Sequence, residues 1–243
     1  MNEVANDLRV KFDPAIAEEI VRYGKLLAAR GYIHNAVGNI ALRVPHPNYP
    51  DGIVYTKPMG LSLEEVQIQH IVITDVLHGK LLYGTNPTAP GHQLNREFLR
   101  LRSDINSVIH VHDDNVIAYL ALGFDEFIHC SIEFPYVVNM PPHIVHHHVD
   151  IEENVDSVKD FIQNTNVILM KRHGLSTLGR SVSEAYHRLN SVTAEIRRVM
   201  TIEAAGASMG RQPKYLSTEE LQHMYGRAKN LRPYFAFGQL KHP

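Results

Sequence analysis

The chain has 243 residues, 44% hydrophobic and 21% charged, with a formal net charge of -2. This is the make-up of an ordinary globular protein, and bulk charge favours neither nucleic acid nor an anionic membrane as partner. The single cysteine, Cys130, excludes an internal disulfide framework and a cysteine-type zinc knuckle, and fits a reducing cytoplasm.

Met1 to Val10 lacks the apolar run of a signal peptide, and no stretch approaches the ~18 apolar residues of a membrane span. Asp13-Pro14 opens a first helix, with Asp13 as N-cap. Ile16, Ile20, Tyr23 and Leu27 give it one apolar face, and Gly31 follows its end. The alternation from Ile40 to Val44 predicts a half-buried strand entered through Gly38-Asn39. His46 to Asp51 reads as a loop and Gly52 to Thr56 as a strand. Lys57-Pro58-Met59-Gly60 is a turn. Ser62 and Glu65 have the spacing of a capping box for a short helix. Ile71–Thr74 and Lys80–Tyr83 read as strands around His78-Gly79.

Gly84 to Gly91 is a loop, and His92 to about Arg102 a helix with Leu94, Phe98 and Leu101 on one face. Ser107 to His112 is a strand, and Asn115 to Leu122 an apolar helix. Phe127 to Val138 mixes strand and loop, Ile151 to Gln163 reads as helix, and Asn166 to Met170 as a buried strand. Ser181 and Glu184 cap a long helix running to Ala205, with Gly206 as its stop. One α/β domain over residues 1–209 is the economical reading, followed by an extension over 210–243. The extension ends in Pro233-Tyr234-Phe235-Ala236-Phe237, an aromatic patch suited to docking on the body or a neighbouring subunit.

Sixteen histidines make metal chemistry a question to ask. His110 and His112 stand at i and i+2, so both point to one face of a strand and make two thirds of a metal site. His173, at a strand end before Gly174, is the candidate third ligand; spacing alone does not bring it to the pair. Three histidines with other positions open describe a catalytic rather than a structural ion. The run His143, His146, His147 and His148 is a denser but loop-borne cluster, and His129-Cys130 reads as a buried pair. Tyr119 reads as packing.

Several motifs, in order, resemble the class II aldolase/adducin family. They are Gly38-Asn39-Ile40-Ala41-Leu42-Arg43, Tyr55-Thr56-Lys57-Pro58-Met59-Gly60-Leu61, Arg102 to His112, and Lys171-Arg172-His173-Gly174. The resemblance runs from about residue 14 to 205. It implies an α/β domain with a central, mainly antiparallel sheet flanked by helices, and a homotetramer with active sites near subunit interfaces. It implies that His110, His112 and His173 bind one divalent metal ion, Zn2+ or Fe2+. It also implies that Asn39 and the backbone around Gly60 form anion-binding turns, with Lys57 near enough to neutralise a phosphate or carboxylate.

One departure matters. The family's Ser-Ser-Glu pattern falls on Ala89, Pro90 and Gly91, and glycine transfers no proton. His92 is the adjacent candidate base or fourth ligand; Glu97 lies almost two turns along a helix. The first reading is therefore a metal-dependent lyase cleaving a carbon–carbon bond in a hydroxy-carbonyl or keto acid, a small-molecule substrate. The second is an Fe(II)-dependent oxygenase that decarboxylates a 2-oxo or 2-hydroxy acid oxidatively at the same histidines, resembling the aminocoumarin-pathway branch of the family. The third is a non-catalytic, adducin-like binding module.

Overall fold

The computed structural model describes residues 5–85, 88–89, 91–146 and 154–231. Its frame is one nine-stranded sheet in the order β1-β5-β4-β3-β2-β6-β9-β8-β7. The strands are β1 (Ala5–Asn6), β2 (Asn39–His46), β3 (Tyr49–Thr56), β4 (Val72–Asp75), β5 (Leu81–Gly84), β6 (Ser107–Val111), β7 (His143–Val145), β8 (Val167–Met170) and β9 (Gly174–Gly179). Neighbours run antiparallel except β7 and β8, so the sheet is mixed but mainly antiparallel, as expected.

Alternation along the strands gives the sheet two apolar faces. Ile40, Leu42, Ile109, Val111 and Leu175 pack with Ile20 and Leu27 of α1 (Pro14–Ala29), Val116 of α3 (Asp114–Ala121), and Leu189, Val192 and Ile196 of α5 (Val182–Met209). Ala41, Val54, Val108, Ile168 and Leu178 face the other way, against Leu94, Phe98 and Leu99 of α2 (His92–Leu101). The result is three layers with β6 near the middle. Its even positions, Val108 and His110, lie on the α2 side. A short α4 (Phe134–Val138) and a C-terminal α6 (Thr218–Leu231) pack together beside the first core, where Tyr225 is buried and hydrogen-bonded to His129 at 3.0 Å.

Five expectations need correction. The loop predicted at His46–Asp51 is a tight hairpin: β2 and β3 extend through it, and a register shift between Val44 and His46 accommodates Pro45. The Ser62–Glu65 box forms both its hydrogen bonds, yet a turn follows in place of an α-helix, with a 3-10 turn at Ile68–His70 after it. Strand and loop do not fill Phe127–Val138, because its last five residues are α4. Within the region expected to be helical near Ile151–Gln163, residues 155–160 and 162–164 form 3-10 turns. The long helix α5 continues through Gly206 to Met209 and stops at Gly210, which takes the left-handed conformation. The predicted aromatic patch at residues 233–237 and histidines 147 and 148 lie outside the described residues.

Candidate metal centre

His110 lies on β6, His112 just beyond its end, and His173 in the turn joining β8 to β9. The register of β6 against β9 places Val111 opposite Leu175 and His110 opposite Ser176, which brings the turn to the end of β6. Gly174 permits the approach: a Cβ there would collide with the Val111 carbonyl oxygen and come within 3.1 Å of the His112 Cα. Gly38 does the same on the other side, where a Cβ would stand 3.0 Å from the His110 carbonyl oxygen and φ is +83°. Both glycines of the sequence motifs thus serve close packing around the histidine strand.

The three imidazoles converge. His110 Nε2 is 3.0 Å from His112 Nε2 and 3.2 Å from His173 Nε2. One nitrogen from each ring lies within 4.8 Å of the others, so the group could hold one metal ion. Nitrogens bound to a tetrahedral zinc at 2.0–2.1 Å would stand about 3.3 Å apart, close to the two spacings from His110. His110 Nδ1 faces the Ser176 hydroxyl at 3.1 Å. That contact occupies Nδ1 and directs Nε2 at the shared point, as outer partners of metal-binding histidines do.

Burial holds His110 far below the ordinary imidazole value, and the charges of His112 and His173 add to the effect. Burial, then His173 and His34, pushes His112 down to about 4. Both rings are therefore neutral near pH 7, the form that donates a lone pair to a metal.

Asn39 pairs across the sheet with His110 and is buried. Its side-chain oxygen accepts from Asn95 of α2, so α2 fixes its direction. Lys57 is fully buried, and its ammonium donates to the carbonyls of Ala36 at 2.8 Å and Leu61 at 2.7 Å. The expected anion-neutralising lysine is thus turned inward and ties together the two turns preceding Asn39 and following Gly60. Burial lowers its pKa to about 8. Gly60 is exposed with φ +87° and open space around it, so turn geometry accounts for it.

His92 is not brought to the triad. Its Nε2 contacts the Thr74 hydroxyl at 2.8 Å on β4, three strands from β6. Thr74 aligns with Val54 and Arg43, four residues from the Asn39–His110 pair. At ~4.8 Å between strands and ~3.3 Å per residue, Thr74 and His110 are on the order of 15–20 Å apart. Burial first, and the Arg96 charge second, push His92 down to about 3. It is a core histidine, and the expectation of a base or fourth ligand there is corrected. Gly91, at the position of the family's glutamate, is the N-cap residue of α2. Glu97 pairs with Arg100 on the helix surface. His143 stacks on Phe161, with centroids 4.1 Å apart. Tyr119 is buried, and its hydroxyl accepts from the Ile128 amide.

Ser176 and Asn95 escaped the sequence reading. Ser176 carried a weak signal as a polar residue in an apolar strand; Asn95 carried none beyond its place on the buried face of α2.

The family model for the class II aldolase and adducin N-terminal domain matches residues 18–197. An L-fuculose phosphate aldolase of Methanococcus maripaludis is 29% identical over 171 residues, 69% of this chain and 87% of that one. A 5-deoxy-D-ribulose 1-phosphate aldolase of Bacillus thuringiensis is 25% identical over 210 residues, 85% of this chain and 92% of that one. Among solved structures, YgbL of Escherichia coli superposes with a TM-score of 0.75 at 19% identity, covering 88% of this chain and 100% of that one, which shows the shared fold. The aldolase relatives point to an enzyme of the class II aldolase kind. With most of its length matched by one domain model, the chain belongs to the class II aldolase and adducin family.

Proposed function

We propose that this protein is a metal-dependent lyase that cleaves a carbon–carbon bond in a hydroxy-carbonyl or keto-acid substrate. The observation that carries the reading is the convergence of His110, His112 and His173 on one point. Three converging imidazoles suit one divalent ion, Zn2+ or Fe2+, which when bound would act as a Lewis acid on a carbonyl or enediolate. Asn39, held by Asn95 beside His110, would orient the substrate's polar groups. The relatives' names specify sugar phosphates, L-fuculose phosphate and 5-deoxy-D-ribulose 1-phosphate. Here Ala89 and Pro90 stand where serine hydroxyls would help hold a phosphate, and Lys57 is committed to two carbonyls, which favours a substrate without phosphate. A homo-oligomer in the cytoplasm, a tetramer by family habit, completes the reading.

Gly91 supports a second reading, Fe(II)-dependent oxidative decarboxylation of a 2-oxo or 2-hydroxy acid, because that chemistry does not need the missing glutamate. Metal analysis of protein purified without added metal separates the two. Stoichiometric zinc with cleavage of hydroxy-carbonyl substrates and no oxygen uptake supports the lyase. Iron with oxygen uptake on 2-oxo acids supports the alternative. His110→Ala should lose the metal; full occupancy in that variant refutes the site, and a metal-free wild type with an intact fold supports a binding module instead.

A further inference from the structure

We propose that the cleft between α6 and the segment leading into β7 is a binding site for a compact, mostly apolar organic molecule carrying one N–H or O–H donor. The cleft has a volume of about 590 Å3, within the range of small-molecule sites. None of the triad or its hydrogen-bond partners lines it. From α6 come Thr218, Leu221, Tyr225 and Gly226; Met140 and Pro141 form part of the facing wall. Tyr225 is locked to His129, and the Leu216 amide donates to the His129 carbonyl, so the helix is held while the cleft beside it stays open.

Two independent features point to a ligand. Asn139 lines the cleft, is 7% exposed, and its side-chain oxygen is buried without a hydrogen-bond partner among the described residues. Leaving such an acceptor unmatched is costly, so the site asks for a donor. The terminal torsion of asparagine is broad, so its amide turns toward the cleft at little cost. Gly226 sits inside α6, where glycine is the poorest helix former but proline. Among the described residues no atom lies within 4 Å of a Cβ built there, so neither their packing nor positive φ accounts for it. What the missing side chain leaves is room in the cleft.

Indole and benzofuran test this, because they share a shape and differ in whether the ring heteroatom donates. Calorimetric titration of the full chain should show indole binding at least fivefold tighter than benzofuran. Asn139→Gly, which suits the φ of +63° at that position, should remove the preference while keeping the melting temperature. Gly226→Phe should abolish binding of both, with Gly226→Ala as the control that strengthens the helix without filling the cleft. Equal affinities in wild type, an unchanged preference in Asn139→Gly, undiminished binding in a folded Gly226→Phe, or no binding of either probe at millimolar concentration would each overturn the proposal. So would a change of oligomeric state in Gly226→Phe, which would make the cleft an interface between copies.

Discussion

Gly174→Ala isolates what places the third histidine. One methyl group at that position meets the Val111 carbonyl oxygen at less than contact distance and lies 3.1 Å from both the Val111 carbonyl carbon and the His112 Cα. All three are backbone atoms of the central strand or its end, and cannot swing aside as a side chain would. The β8–β9 turn must retreat, and His173 retreats with it. Overpacking of this kind costs about 1–3 kcal/mol. At roughly 2–4 °C per kcal/mol for a domain of this size, the melting temperature should fall by about 2–12 °C. Metal affinity should fall by about 10–100-fold, the usual loss when the groups orienting metal ligands are disturbed. Competition with a chromophoric chelator measures the affinity, and thermal unfolding with and without chelator measures the stability. Gly226→Ala, where a Cβ meets nothing, is the matched control. Wild-type affinity and melting temperature in Gly174→Ala would show that the turn does not depend on the absent side chain, and the account of the His-Gly pair would fail.

Other consequences follow from the same contacts. Ser176→Ala removes the hydroxyl 3.1 Å from His110 Nδ1 and should weaken metal binding by about tenfold with little change in melting temperature, read by the same chelator competition. Lys57→Met leaves the Ala36 and Leu61 carbonyls without their buried donor and should cost about 1–3 kcal/mol for each, measured by denaturant unfolding, with faster amide exchange in the two turns. Glu184→Gln should cost about 3–5 kcal/mol, because Arg188, itself buried, loses its carboxylate. Burial alone would raise the Glu184 pKa, but the charge of Arg188 and the bonds from Arg180 outweigh it and hold the group below the ordinary 4.5. A depressed folded value means this stabilisation is complete above about pH 4.5 and fades as pH falls through the folded pKa. The stability gap between wild type and Glu184→Gln should therefore be flat from pH 7 to 5 and shrink in acid. A gap that widens in acid would contradict the assignment.

Local chemistry was legible in the sequence where the structure is locally determined. Asp13 caps α1 through the Ala15 amide, and Gly31 follows its end with φ +74°, because both devices act within a few residues. The same logic failed at the end of α5, where two glycines compete. Gly206 stays helical and its carbonyl accepts from the Arg211 amide, while Gly210 takes the left-handed turn that makes this bond possible. The first glycine is there because a Cβ would strike the returning Arg211 carbonyl, a contact made by chain beyond the helix. Val158 and Ile162 fall within the stretch that reads as one helix; both are buried, but on successive 3-10 turns.

The candidate metal site divides along the same line. His110 and His112 are legible because two residues of one strand fix their direction. His173 enters through the β6–β9 register, which no local pattern contains; the order of motifs supplied it. His92 shows the converse error: its place beside Gly91 in sequence suggested the site, but its ring packs against Thr74 on β4, three strands from β6. The three candidate ligands ride on or beside the central strands, whereas Lys57 and the positions 89–91, where the family resemblance expects the acid and its serines, lie outside the strands. Rigid strands preserve a metal site while loops exchange its chemistry. For that reason the ion and the first products deserve measurement before any relative's substrate is assigned to this chain.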